Sequence, residues 1–287
     1  MARKRLTMPS FQAVAAGQTA VINIPTVGSY HTIVLKYLTA TAGLATQANV
    51  EAEIDEIRMK INGKVQRTMS ARQLFDINSY HGIAPIPGGG AGVYMPLPIY
   101  LSEPWRRSVQ GEDLLAWHMG DVETFQIEVD INAAAAGPQL VALADREESP
   151  VDNTGRPVPM GPIVKWKRFV LQPSAIGVYN AHDLPKNDSY FAMHFDSTDI
   201  DSIDLTIDGE DWFDGVSRAD LAQLYADQGF AMDAAWTVLD FAPTGRVAHA
   251  RPMVSGNGMR VKDMRLDLDM AAAGAFDLVT ETFGLRD

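Results

Sequence analysis

Apolar and polar residues alternate with a period of two along much of this chain. Ile57, Met59 and Ile61 alternate with Arg58 and Lys60, and Ile203, Leu205 and Ile207 alternate with Asp204 and Thr206. That period puts one set of side chains on a single buried face of a β-strand. The pattern predicts strands over 20–24, 32–38, 54–61, 93–101 and 125–131, and again over 166–171, 191–195, 203–207, 236–241 and 264–270. Strands do not alternate with long helices, so a parallel βαβ sheet is not predicted. Short, regularly spaced strands predict a sandwich or barrel, and an eight-stranded jelly roll suits a unit of this size.

The pattern repeats. Ile54, Asp55, Ile57, Ile61 and Gly63 recur at an offset of 146 as Ile200, Asp201, Ile203, Ile207 and Gly209. Asn62-Gly63 and Asp208-Gly209 then supply the turn that ends each strand. Downstream, Ser70 and Ser217 each start a segment with Gln73 or Asp220 three residues on, then Leu74 or Leu221, then Gly82 or Gly229. Serine with a carboxamide or carboxylate at the third helical position, closed by glycine, predicts a short capped helix in each half. A third pair follows: Q-I-E-V-D-I at 126–131 and R-L-D-L-D-M at 265–270, each leading into an alanine run that ends in glycine. Ser29-Tyr30 and Ser189-Tyr190 form a weaker fourth pair, each opening an apolar run. Chance is a poor account of four matches in the same order, so the chain reads as a duplicated β-unit with one short helix per copy. The proline- and glycine-rich stretch 147–162 reads as the linker. The expected domains are 1–150 and 151–287, both mainly β.

The length of 287 residues agrees with two domains. Cysteine is absent, which removes disulfides, thiolate metal sites and cysteine nucleophiles. The formal net charge of −12 argues against a nucleic-acid-binding surface. No uninterrupted apolar run approaches the roughly 20 residues a bilayer-spanning helix needs. The N-terminal M-A-R-K-R-L lacks the apolar segment of an export signal. Arg3, Lys4 and Arg5 form the locally basic stretch; it could touch lipid headgroups or nucleic acid, and a frayed, solvated terminus is the plainer reading.

Catalytic patterns are not found. His31, His81, His118, His182, His194 and His249 form no H-x-H or H-x-x-x-H pair, so a histidine metal site would have to be assembled from remote positions. There is no G-x-S-x-G elbow, and Ser255 in V-S-G-N-G reads as a turn. The glycines at 88–90 and 92 are not followed by Lys-Ser/Thr, so they make no phosphate loop. The stretches 39–48 and 85–92 read as long loops of the first unit, fit for recognition or as plain surface connections. Acidic residues crowd 196–227, where Asp196, Asp199 and Asp201 are candidate calcium ligands, although the spacing lacks the D-x-[DN]-x-[DN]-G loop and a solvated face is the plainer reading. Trp105, Trp117, Trp166, Trp212 and Trp236 are scattered and are expected in the core.

Several stretches carry a family likeness. V-A-A-G at 14–17 followed by the strand 20–25, the run 125–143 with D-I-N-A-A-A-A-G-P-Q-L, and I-D-G-E-D-W at 207–212 resemble the major capsid protein of the corticoviruses. The resemblance extends from about Pro9 to Gly284. Arg3-Lys4-Arg5 and the 88–92 loop depart from it, which leaves inner-face and loop contacts open. The likeness implies two tandem eight-stranded jelly rolls, a double jelly-roll. It further implies a pseudo-hexagonal homotrimer that tiles an icosahedral bacteriophage shell over an internal lipid membrane, with calcium associated with shell stability. Neighbouring trimers, vertex proteins and membrane-associated minor virion proteins would be the partners, with the host cytoplasm as the place of assembly. It carries over no catalytic residue and no required cofactor. Two other readings of tandem β-units are a carbohydrate-binding module and a bicupin-like enzyme.

Overall fold

The computed structural model describes residues 3–40, 46–84, 86, 93–105, 115–254 and 258–287. The 85–92 loop, apart from Ile86, lies outside the described residues, as do Ser255 and positions 41–45; Gln47 and Ala48, expected in the 39–48 loop, instead begin a short helix capped by Thr46. Contacts divide the described chain into two units, one within 1–78, 83–165 and 285–287, the other within 79–82 and 166–284.

The first unit contains β1 (Lys4–Thr7), β2 (Thr19–Ile24), β3 (Ser29–Leu38), helix α1 (Gln47–Glu53), β4 (Ile54–Ile61), β5 (Lys64–Met69), α2 (Ala71–Tyr80), β6 (Met95–Tyr100), the two-residue β7 (Trp117–His118), β8 (Phe125–Ile131) and β9 (Gln139–Glu147). One sheet has the order β1-β9-β3-β6, with β7 also on β3, and the other has β5-β4-β8-β2. The second unit is formed by β10 (Ile163–Leu171, its first three residues counted with the first unit), β11 (Gly177–Ala181), β12 (Ser189–Phe195), β13 (Ile200–Ile207), β14 (Glu210–Ser217), α3 (Arg218–Ala226), β15 (Thr237–Asp240), β16 (Met264–Met270) and β17 (Phe276–Gly284). Its sheets run β15-β12-β17-β10 and β11-β16-β13-β14. With β7 set aside, both units pair the first strand with the eighth, the eighth with the third and the third with the sixth; the other sheet pairs second, seventh, fourth and fifth. That is the eight-stranded jelly-roll order, written twice.

Alternation becomes burial directly. β8 is buried at Phe125, Ile127, Val129 and Ile131 and half-buried between them, and β16 follows suit at Met264, Leu266, Leu268 and Met270. β4 and β13 pair with these strands in equivalent registers, Ile57 opposite Val129 and Ile203 opposite Leu268. Asn62 and Asp208 both adopt left-handed φ, 49° and 51°, with glycine next, as a tight type I′ hairpin turn requires. The prolines at 96 and 98 sit in β6 because it is the last strand of its sheet, where a missing N–H costs no ladder bond.

Both capped helices form. Ser70 Oγ accepts from the Gln73 N–H at 3.1 Å while Gln73 Oε1 accepts from the Ser70 N–H at 2.9 Å. Ser217 and Asp220 repeat this reciprocal pair at the start of α3. Leu74 and Leu221 are fully buried beneath these first turns.

The expectations also needed correction. β1, β5, β7, β9, β11, β14 and β17 lie outside the predicted strands, most visibly where hydropathy does not alternate cleanly: β5 buries Gln66 and Arg67, and β14 is largely exposed. Nor does Trp212 join the core. It is 39% exposed and its ring lies under the Arg251 guanidinium at 3.9 Å, whereas Trp117, Trp166 and Trp236 are buried. Among the described residues no helix is long and apolar enough to cross a membrane.

Candidate functional site

The basic stretch is part of the fold. Lys4 and Arg5 lie in β1, whose residues pair with Arg146 and Asp145 of β9, and Lys4 Nζ is 3.0 Å from Glu148 Oε1. The Met8 N–H continues the ladder to the Ala142 carbonyl at 2.9 Å. A frayed terminus is therefore the wrong description: pairing with the long β9 supplies the partners a free terminus lacks. As an edge strand, β1 carries the positive charge that discourages further strand addition. Arg3 and Arg5 also line a cavity of about 370 Å³ with Thr32, Val34, Tyr100 and Leu143.

The acidic stretch resolves into separate roles. Asp196 closes β12, giving its N–H to the Asp277 carbonyl at 2.8 Å; Asp199 sits exposed in the following turn; Asp201 is exposed near the start of β13. Among the described residues the histidine and carboxylate group whose ligand atoms come together is not this one. Asp208 Oδ1 accepts the N–H groups of Lys262 and Asp263, both at 2.9 Å, and these two donors hold its carboxyl below the usual range. Asn62 Oδ1 does the same work in the first unit, accepting from Glu123 and Thr124 at 2.9 and 3.1 Å. The Ser217 hydroxyl and N–H likewise depress the Asp220 carboxyl.

Three polar clusters escaped sequence reasoning. On the β4–β8 surface, Arg58 bonds Asp130 through both terminal nitrogens at 2.6 and 2.9 Å, Glu128 through Nε at 2.9 Å, and also Glu56. Burial pushes the Glu128 and Asp130 carboxyls up, but the bonds from Lys60 and Arg58 to Glu128, and from Arg58 and Thr19 to Asp130, outweigh it, so both sit low. Arg67 is fully buried and gives its donors to the backbone carbonyls of Val164 and Tyr100 at 2.9 and 2.6 Å. In the second unit His81, His194 and Glu281 meet, all buried. Burial raises the Glu281 carboxyl, yet the adjoining His81 and His194 hold it well below its ordinary value. A linear signal existed only for Arg58, whose strand-neighbours Glu56 and Lys60 alternate on one face. Nothing in the spacing of residues 81, 194 and 281 links them.

A family model described as the viral coat protein P2 N-terminal domain matches residues 5–147, and one described as the P2 C-terminal domain matches residues 163–285. The major capsid protein P2 of Pseudoalteromonas phage PM2 is 24% identical over 294 residues, spanning 99% of this chain and 97% of that protein. The crystal structure of P2 from bacteriophage PM2 superposes with a TM-score of 0.83 at 23% identity, covering 100% of this chain and 98% of that one. The crystal structure of the STIV major capsid protein gives 0.69 at 14% identity over 99% and 97%. The PBCV-1 virus capsid gives 0.66 at 11% identity over 98% and 93%. The doubled strand order and the two consecutive domain matches lead to one conclusion: this chain belongs to the viral coat protein P2 family, with the double jelly-roll fold.

Proposed function

We propose that this chain is the major capsid protein of a bacteriophage and assembles as a homotrimer whose copies tile an icosahedral shell over an internal membrane. The observation that carries the reading is the repetition of one jelly-roll order in both units. Two like units per chain and three chains per capsomer would present six similar edges, so one gene product could pack hexagonally. Holding a shell together is then a matter of many modest lateral contacts summed over the lattice. A structural role also accords with the family and with the absence of nucleophile and phosphate-loop motifs noted in the sequence.

Partners follow from the same reading: neighbouring trimers, vertex proteins and membrane-associated minor proteins in the virion. Arg3, Lys4 and Arg5 offer cationic contacts to lipid headgroups. Calcium, if it strengthens the shell, would meet the exposed carboxylates near Asp196, Asp199 and Asp201.

Light scattering on the purified chain tests the trimer. The expected mass is about three times 31.3 kDa. A concentration-independent monomer in the presence and absence of calcium would overturn the trimeric reading. A loss of mass on adding EGTA would assign calcium a part in the contacts.

A further inference from the structure

We propose that His81, His194 and Glu281 bind a zinc-type divalent cation inside the second unit. His81 directly follows α2, His194 lies on β12 and Glu281 on β17. The Nε2 atoms of His194 and His81 lie 3.0 and 3.2 Å from the same Glu281 oxygen, Oε1, and the three ligand atoms fall within 4.8 Å of one another. The fold sets this up. Ala192 pairs with Glu281 across β12 and β17, so His194, two residues on, is the diagonal neighbour of Glu281 on the same face. The end of α2 delivers His81 over that face. A tetrahedral ion holding nitrogen and oxygen at about 2.0–2.1 Å spaces its ligands about 3.3 Å apart. The two histidine-to-Glu281 spacings, 3.0 and 3.2 Å, are already within a few tenths of an ångström of that value, and the two imidazoles lie within 4.8 Å of each other.

The donor set selects the class of ion. Two imidazoles and a carboxylate suit zinc and its neighbours in the first transition row, whereas calcium takes six to eight oxygens. The surroundings suit a structural ion. Tyr80 stands edge-on to His81 and His194 at 5.1 and 5.5 Å, Phe230 is 5.8 Å from His81, and Trp236 is 6.2 Å from His194. This aromatic wall shields the group from bulk solvent and strengthens the attraction of a carboxylate for a cation. Tyr80 is not the fourth ligand, because its hydroxyl is given to Asp240 Oδ2 at 2.8 Å; water fits that place better. A buried carboxylate is costly without a cation beside it. The rival occupant is a proton, which would turn one imidazole into an imidazolium paired with Glu281. The ion would pin the segment 79–82 to β12 and β17 and so hold the second unit together.

The test uses the full chain, made without a histidine tag. Zinc content is measured after dialysis, and cobalt(II) is then loaded as a spectroscopic probe. The expected results are about one ion per chain, visible bands of tetrahedral cobalt, and a melting temperature that rises with zinc but not with calcium. Outer partners alone are worth 10- to 100-fold in metal affinity, so losing a ligand in H81Q or H194Q should weaken cobalt binding by more than about 100-fold. Absence of zinc together with a cobalt spectrum unchanged from that of the hydrated ion would overturn the proposal in favour of the proton, as would wild-type cobalt bands in a variant carrying both H81Q and H194Q. If the variants fail to fold, the metal content and cobalt spectrum of the wild-type chain decide alone. These readouts do not depend on oligomeric mass, so the result stands apart from the capsid reading.

Discussion

The hydroxyl of Tyr190 donates to the carbonyl oxygen of Pro185, five residues back, at 2.7 Å. Tyr30 does the same to Pro25 at 2.6 Å. Both rings are buried, and burial pushes both phenols above their ordinary value. Each bond ties the loop before the third jelly-roll strand to that strand, in one unit as in the other. Y190F keeps the ring and removes the donor, leaving the Pro185 carbonyl short of a partner. The expected loss is about 0.5–1.5 kcal/mol in urea denaturation, the net worth of one hydrogen bond, and Y30F should cost a similar amount in the first unit. Unchanged midpoints in both variants would mean that water replaces these bonds at no cost.

The repeat makes a sharper prediction at the fourth-to-fifth strand turn. Asp208 takes a left-handed φ and accepts two backbone N–H groups, and Asn62 does both in the first unit. D208N therefore installs the residue the other copy already uses, and should fold with near-wild-type stability. D208A keeps neither the acceptor nor the tolerance of left-handed backbone, and should be clearly less stable. Thermal melts of the two variants side by side measure the difference. Equal melting temperatures would show that the side-chain acceptor contributes nothing.

These pairs show what a linear reading could and could not reach. The strands at 54–61, 125–131 and 264–270 were legible because one face is buried and the other wet, so hydropathy has period two. Helices α2 and α3 were legible from serine, glutamine or aspartate, leucine and glycine at fixed offsets; α1, which begins within the expected 39–48 loop, was not. β14 was not, because it is exposed along most of its length, and β5 was hidden by a buried arginine whose charge is met by carbonyls from distant segments. Ser29-Tyr30 and Ser189-Tyr190 were visible as a match, but their proline acceptors were not, since a side chain's backbone partner leaves no periodic mark. The His81, His194 and Glu281 cluster lies at the far end of that scale: three elements must fold before its members are neighbours.

The capped helices give a third prediction. Ser217 holds the Asp220 N–H and receives the Asp220 carboxylate in return. S217A removes the side-chain half of this exchange and should cost about 1 kcal/mol. S70A should cost a similar amount, since Ser70 and Gln73 make the same pair. Denaturation midpoints of the two single variants and the double variant check this, and the double loss should be close to the sum because the sites share no partner.

The Arg58 cluster predicts a dependence on pH. Its guanidinium faces Glu56, Glu128 and Asp130, with Lys60 also on Glu128 at 2.5 Å. The side chains of Arg58, Glu128 and Asp130 are 22%, 14% and 30% exposed, so solvent screens the cluster only in part. In the folded chain Glu128 and Asp130 titrate below their usual range. A depressed carboxylate contributes stability that is fully present above its unfolded value, about 4, and is lost as pH falls through the folded value. R58M removes the cation and leaves three carboxylates facing one another with only Lys60 beside them. At pH 7 the variant should be less stable by about 1–3 kcal/mol, below the cost of breaking a fully buried pair. As pH drops below about 4 the carboxylates protonate, their repulsion fades, and the gap to the wild type should narrow. Urea midpoints of both proteins at pH 7 and pH 3.5 measure this. A gap that stayed constant with pH would assign the role of Arg58 to packing of its aliphatic stem, because only the charged contribution titrates.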